Sequence, residues 1–289
     1  MLYLKSFYLP SLSEEESNNS GSHEYPYGIF PFKDLRSLDF SPITIIYGSN
    51  GSGKSTLLNL IAEKLNILRS TPFNASAKFY EYVENKCDFC TQADGKNEQI
   101  NIPHGSRIIT SEDIFNNILT TREKNKLREQ KRKQKEKEYF EAKYTKIQFN
   151  SLDELDMLKT QNDARKKTAS SFINERIDKK IEQFSNGETS LSYYNETFEA
   201  KNMYLLDEPE NSLSPLFQLE LAKMIIENRR YFECQFIIAT HSPFFLAMED
   251  TQIYDLDSLP VKQKNWYELD NMKLYYQLFK NSGNLFEKK

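Results

Sequence analysis

Gly48-Ser49-Asn50-Gly51-Ser52-Gly53-Lys54-Ser55-Thr56 matches G-x-x-x-x-G-K-[ST], and it follows directly on the apolar run Ile43-Thr44-Ile45-Ile46-Tyr47. Each residue type has a physical reason. Glycines let the backbone curl so that successive N–H groups face an anion, and the helix that follows adds its positive N-terminal end. In this pattern Lys54 reaches the β and γ phosphates, and the Ser55 hydroxyl ligates Mg²⁺. Beyond the loop, Leu57, Leu60, Ile61, Leu65 and Leu68 recur at helical spacing, which completes a strand–loop–helix unit. The stretch implies a nucleoside triphosphate ligand.

Working outward, the chain reads as one 289-residue domain with two elaborations. A strand is expected over Leu2 to Leu9. Residues 78–102 read as a β-hairpin, because Phe79-Tyr80-Glu81-Tyr82-Val83 supplies β-formers and Asp94-Gly95 is a turn signal before Gln99-Ile100-Asn101-Ile102. A further strand is expected at Arg107-Ile108-Ile109-Thr110. Residues 114–183 are nearly free of Gly and Pro and rich in Lys, Glu, Gln and Arg; they predict long helices with a break near Phe149-Asn150-Ser151. Strand–helix alternation then returns. Met203-Tyr204-Leu205-Leu206 and Gln235-Phe236-Ile237-Ile238-Ala239 have the continuous apolar character of strands covered on both faces. Between them, Ser214-Pro215 starts a helix with Leu216, Leu219, Met224 and Ile225 on one face. Such alternation predicts a parallel sheet with crossover helices.

Four elements downstream of the loop narrow the chemistry. Tyr204-Leu205-Leu206-Asp207-Glu208-Pro209 is an apolar strand ending in two carboxylates, with Asp207 placed to hold Mg²⁺ and Glu208 to orient or deprotonate water. Ser185-Asn186-Gly187-Glu188 combines a hydroxyl, a glycine and a helix start, a second phosphate-binding surface. His241, in Ala239-Thr240-His241-Ser242-Pro243, sits at the C-terminal end of the next strand, in reach of a γ-phosphate. Asn211-Ser212-Leu213-Ser214 lies just past Glu208.

In this order the motifs resemble the ABC-type ATPase set: Walker A, signature, Walker B, D-loop and switch histidine. The S-x-G-E signature is similar to that of the soluble SMC, RecF and OLD-like ATPases rather than the L-S-G-G-Q of transporters. The stretch 235–247, with Ile253-Tyr254-Asp255-Leu256, looks like the bacterial "predicted ATPase" group of ABC-like AAA proteins. The resemblance implies a P-loop NTPase fold of the ABC type: an α/β domain with a mostly parallel central sheet and flanking helices, an antiparallel β subdomain and a helical insertion. It implies ATP and Mg²⁺ as cofactors and a head-to-tail dimer with ATP sandwiched between chains. Each γ-phosphate would be held by Lys54 and Ser55 of one chain and by Ser185 and Gly187 of the other. Glu208 and His241 are the catalytic candidates. Where transporters carry Gln, this chain has Ser111-Glu112-Asp113, so Glu112 is the candidate for that loop's Mg²⁺ or water contact. Relatives of this type work in DNA repair or in phage defence beside a nuclease partner. No acidic Toprim-like domain follows the last motif, so no nuclease is expected within the chain itself. The nucleotide-binding subunit of a membrane transporter, and an ATP-gated nucleic-acid clamp, remain open as other readings.

Composition bounds these readings. A net charge of −4 does not announce nucleic-acid binding. Between residues 122 and 146, however, eleven Lys/Arg stand against five Glu, a net of +6 that leaves −10 for the rest. That basic arm is the candidate DNA contact. No apolar run approaches the roughly 18 residues of a membrane span, and Met1-Leu2-Tyr3-Leu4-Lys5 has no basic n-region. Three cysteines in a chain of this size suit a reducing cytoplasm. Cys87-Asp88-Phe89-Cys90 has metal-ligand spacing but supplies half a zinc site, so structural cysteines are expected. An aromatic between Tyr25 and Phe32 is the candidate adenine contact.

Overall fold

A computed structural model describes residues 1–16, 24–73, 75–93, 99–144, 155–176 and 185–286. In chain order the strands are β1 (Leu4–Tyr8), β2 (Ser37–Asp39), β3 (Ile43–Tyr47), β4 (Leu68–Arg69), β5 (Asp88–Thr91), β6 (Arg107–Thr110), β7 (Met203–Asp207), β8 (Gln235–Ala239), β9 (Gln252–Asp255) and β10 (Lys262–Gln263). The helices are α1 (Leu12–Glu16), α2 (Lys54–Lys64), α3 (Ala77–Lys86), α4 (Ser111–Tyr144), α5 (Leu155–Lys166), α6 (Ala169–Asn174), α7 (Asn186–Thr197), α8 (Pro215–Tyr231), α9 (Pro243–Leu246), α10 (Asp270–Asn281) and α11 (Gly283–Phe286). The chain divides into two compact units, Met1–Ile114 with Asn186–Lys289, and Phe115–Ser185.

The first unit is built on a sheet of order β10-β9-β3-β8-β7-β6-β4. All its neighbours are parallel except the β9–β10 pair. Every residue of β3 and β8 is buried, which is why these strands are apolar without alternation. A second, antiparallel sheet has the order β2-β1-β5. Leu4, Phe7, Leu38, Leu57, Leu60, Ile61, Phe79 and Tyr82, each fully buried, form one core with Leu205 and Ile237 of the parallel sheet. Gln235 ties the two sheets: its Oε1 accepts from the N–H groups of Tyr3 and Leu4, and its Nε2 donates to the Leu4 carbonyl.

Two expectations need correction here. Residues 78–86 belong to helix α3, not to a hairpin strand. Ser76 caps the helix by accepting from the Phe79 N–H, and Phe79, Tyr82 and Val83 fall on one buried face at i, i+3, i+4. β5 pairs with β1, and an isolated Ala93–Gln99 bridge is what remains of the hairpin among the described residues; Asp94-Gly95 lies outside them. On α8 the buried stripe is Leu221, Ala222 and Ile225, while Leu216 and Leu219 are exposed. At 100° per residue those two leucines fall on the side opposite Leu221 and Ile225.

The second unit contains most of the 34-residue helix α4, with α5 and α6. It has a small core of Tyr139, Ala164, Phe172 and Ile173. The Arg176 guanidinium lies 3.8 Å from the Phe172 ring and pairs with Asp163 at 2.8 Å. The expected break near 149–151 lies outside the described residues. No described helix is long and apolar enough to cross a membrane.

Candidate functional site

The sheet order decides which side chains meet. β8 lies between β3 and β7, with Ile46 and Asp207 both in register with Ala239. The segments after these three strands, which bring in Lys54 at the start of α2, Glu208 and His241, therefore converge at one edge.

The phosphate loop is shaped by its glycines. Gly51 (φ 80°) and Gly53 (φ 101°) are left-handed, a region that suits glycine. A Cβ on Gly51 would meet nothing within 4 Å, so the space over the loop is open. Helix α2 starts at Lys54 with no side chain capping it, which leaves first-turn N–H groups for a ligand. The Ser52 hydroxyl is buried without a hydrogen-bond partner. Asp257, beyond β9, grips the loop from outside: its carboxylate accepts from the Ser49 N–H at 2.7 Å and the Ser49 hydroxyl at 2.8 Å.

Lys54 is buried, and its ammonium donates to the carbonyls of Gly48 (2.9 Å) and Ser49 (3.3 Å) and to His241 Nε2 (2.7 Å). An ammonium has only protons to give, so Nε2 accepts and the ring proton belongs on Nδ1. Burial lowers the Lys54 pKa, opposed by the carboxylates of Glu208 and Asp207. Glu208 Oε1 is 3.9 Å from the Lys54 ammonium and 3.6 Å from His241 Nε2, while its Oε2 accepts from Asn211 Nδ2 at 3.1 Å. Ser55 donates its hydroxyl proton to Asp207 Oδ1 at 3.0 Å. Burial pushes the Asp207 carboxyl up to about 6; the Ser55 hydrogen bond opposes this and the Glu208 charge adds to it.

Glu210, which nothing in the sequence singled out, accepts from the His241 N–H at 2.7 Å and from the Thr240 hydroxyl at 2.8 Å. Ser212 is left-handed (φ 71°), and Ser214 caps α8 through the Phe217 N–H. Among the signature residues, Ser185 precedes α7 and Asn186, Gly187 and Glu188 form its first turn. Gly187 is buried, and a Cβ there would stand 2.3 Å from Phe217 Cδ2. Glu112 is exposed in the first turn of α4. Its neighbour Asp113 is the buried one, accepting from Thr71 Oγ1, Thr110 N and Thr110 Oγ1. Of the aromatics, Tyr25 places its hydroxyl 3.2 Å from Thr56 Oγ1 and stacks on Phe79. Cys87 is buried, which pushes its thiol up to about 12. Among the described residues no three metal-ligating side chains gather.

The residues suit a triphosphate and a hard cation. The loop is open above Gly51, the Ser52 hydroxyl is orphaned, and Ser55 and Asp207 set two oxygen donors side by side. Fold and site together set a glycine-rich phosphate-binding loop at the C-terminal end of a mostly parallel α/β sheet. Residues 26–260 match the AAA_13 family, described as an AAA domain, and the chain belongs to that family. No curated protein sequence matches it. Solved structures similar to it include the Smc head domain with an extended coiled coil bound to the C-terminal domain of ScpA, from Pyrococcus furiosus (15% identity, 96% of this chain and 100% of that one, TM-score 0.43). Another is an ATP-binding cassette in a dimeric post-hydrolysis state bound to ADP and phosphate (15%, 93% and 100%, TM-score 0.41). A third is an ABC transporter component from Clostridium perfringens (18%, 99% and 100%, TM-score 0.41).

Proposed function

We propose that the protein binds and hydrolyses Mg-ATP, and that two copies close head to tail around the nucleotide to switch a partner's activity. The observation that carries this reading is the meeting of Lys54, Ser55, Asp207, Glu208 and His241 at one sheet edge. Lys54 has three donors and three acceptors, all internal, so an incoming phosphate oxygen replaces His241 as its third partner. That exchange frees Nε2. A ring with its proton on Nδ1 turns to donate toward the γ-phosphate. Ser55 and Asp207 would hold Mg²⁺, which when bound neutralises phosphate charge. Glu208 positions the attacking water and receives its proton. Ser185 and Gly187 of the second copy complete the phosphate shell in this reading, and Glu112 is the candidate water contact at the same edge. Tyr25, beside Thr56 at the start of α2, is the aromatic best placed for adenine. DNA repair or phage defence, with the basic arm on DNA, is the process this switch would serve.

Glu208→Gln tests the reading. It keeps the shape of the site but removes the base, and loss of such a group costs about 10²–10⁴ in rate. The variant is expected to bind Mg-ATP, turn over slowly and accumulate as dimer in size-exclusion light scattering. Unchanged turnover would remove Glu208 from its role.

A further inference from the structure

Glu210 stands on the loop that carries Glu208, yet its side chain is spent on the loop that carries His241. We propose that Glu210 is a positioning residue, whose carboxylate fixes residues 240–241 and so sets His241 between Lys54 and Glu208. The inference rests on the ATPase reading above. One carboxylate oxygen accepts from the His241 N–H at 2.7 Å, and the other from the Thr240 hydroxyl at 2.8 Å. Thr240 is fully buried, and its hydroxyl in turn accepts from the Ser242 N–H at 3.0 Å. A second tie runs alongside: Ser242 donates its hydroxyl proton to Gln218 Oε1 at 2.6 Å, and Gln218 Nε2 donates to the Leu213 carbonyl at 2.9 Å. The segment 208–218 and the turn 240–242 are thus laced together by two side chains.

The consequence is geometric. Each Glu210 oxygen accepts one hydrogen bond from the 240–241 turn, so the carboxylate is oriented on that segment. It holds the backbone from which the imidazole reaches Lys54 at 2.7 Å and Glu208 at 3.6 Å. A displacement of the 208–214 segment moves the water-positioning carboxylate and the histidine as one body, so the water's position and the histidine's γ-phosphate contact are set or lost together.

The test uses the full chain with Mg-ATP and three variants. Glu210→Ala cuts both bonds. Misplacement of a reacting group by about 1 Å costs on the order of 10²-fold, so kcat is expected to fall about that far while KM and the Kd for Mg-ATP stay unchanged. Glu210→Gln keeps one acceptor for His241 N–H and donates to the Thr240 hydroxyl, which can turn to accept; it is expected to recover most of kcat. Glu210→Ala combined with His241→Ala is expected to be no slower than His241→Ala alone, a non-additivity that a general loss of structure does not produce. Wild-type kcat in Glu210→Ala, failure of Glu210→Gln to recover activity, or additive losses in the double variant would each overturn the assignment. Should Glu210→Ala not fold, Thr240→Val removes the Thr240–Glu210 bond, along with the Ser242 N–H bond to the same hydroxyl, and leaves Glu210 on the His241 N–H; a kcat equal to wild type there overturns the assignment equally. Absent turnover in the wild type sinks the ATPase reading instead, so the two failures are separable.

Discussion

Replacing Asp207 by Asn perturbs stability and ligand response in opposite directions. Burial holds this carboxyl at about 6 in the folded protein against an ordinary 3.8. A carboxyl raised by folding stabilises the native state when protonated. That contribution is whole below pH 3.8 and is lost as pH rises through about 6. Above that window the ionised group costs the metal-free protein about 3 kcal/mol, taking 1.36 kcal/mol per unit. Asn carries no charge and its Oδ1 still accepts from Ser55, so the cost disappears. With an unfolding entropy of about 2.1 cal/mol/K per residue over the chain, 3 kcal/mol corresponds to a rise in Tm of roughly 5 °C. The assay is thermal unfolding in chelator from pH 5 to 8, repeated with Mg-ATP. Asp207→Asn is expected to melt higher than wild type at pH 8, with the gap shrinking as pH falls through 6. Mg-ATP is expected to raise the wild type and leave the variant nearly unmoved. A variant no more stable than wild type at pH 8, or one whose advantage is undiminished at pH 5, refutes the argument.

Gly187→Ala sets a methyl group 2.3 Å from Phe217 Cδ2, and overpacking of this kind costs about 1–3 kcal/mol. Denaturant melts are expected to show that loss and its relief in Gly187→Ala/Phe217→Ala. If the single substitution is neutral, α7 does not need a glycine against α8. Neutralising Lys131, Arg132 and Lys133, all exposed on α4, is expected to weaken DNA binding and flatten its dependence on salt. Identical salt slopes for the triple variant and wild type would remove DNA from the arm.

How far the chain could be read depended on whether a feature was local. β3, β7 and β8 announce themselves because strands buried on both faces need no alternation, and the loop after β3 is spelled by glycines with a left-handed φ. Phe79-Tyr80-Glu81-Tyr82-Val83 misleads because aromatics fit a strand or a helix face; the Ser76 cap and the docking of Phe79 and Tyr82 into the core decide the matter. On α8, Leu216 and Leu219 look like core by type alone, but their angular position faces solvent. The Glu210 contacts span thirty residues and the Asp257–Ser49 clamp spans 208. An acidic side chain in a loop carries no local mark of the donors it will find. Those two were legible only after β3, β7, β8 and β9 had been brought side by side.

Glu208 has a backbone φ of 49°, a conformation that costs a non-glycine residue on the order of 1 kcal/mol or more. Its amide is anchored on the Ala239 carbonyl and its own carbonyl receives the Asn211 N–H, so the twist is imposed from both sides. Selection for thermal robustness alone would drift toward Gly or Asn at this position and would discard the carboxylate in doing so. Under the proposed ATPase reading, libraries screened only for heat tolerance are expected to enrich for proteins that hold nucleotide without consuming it.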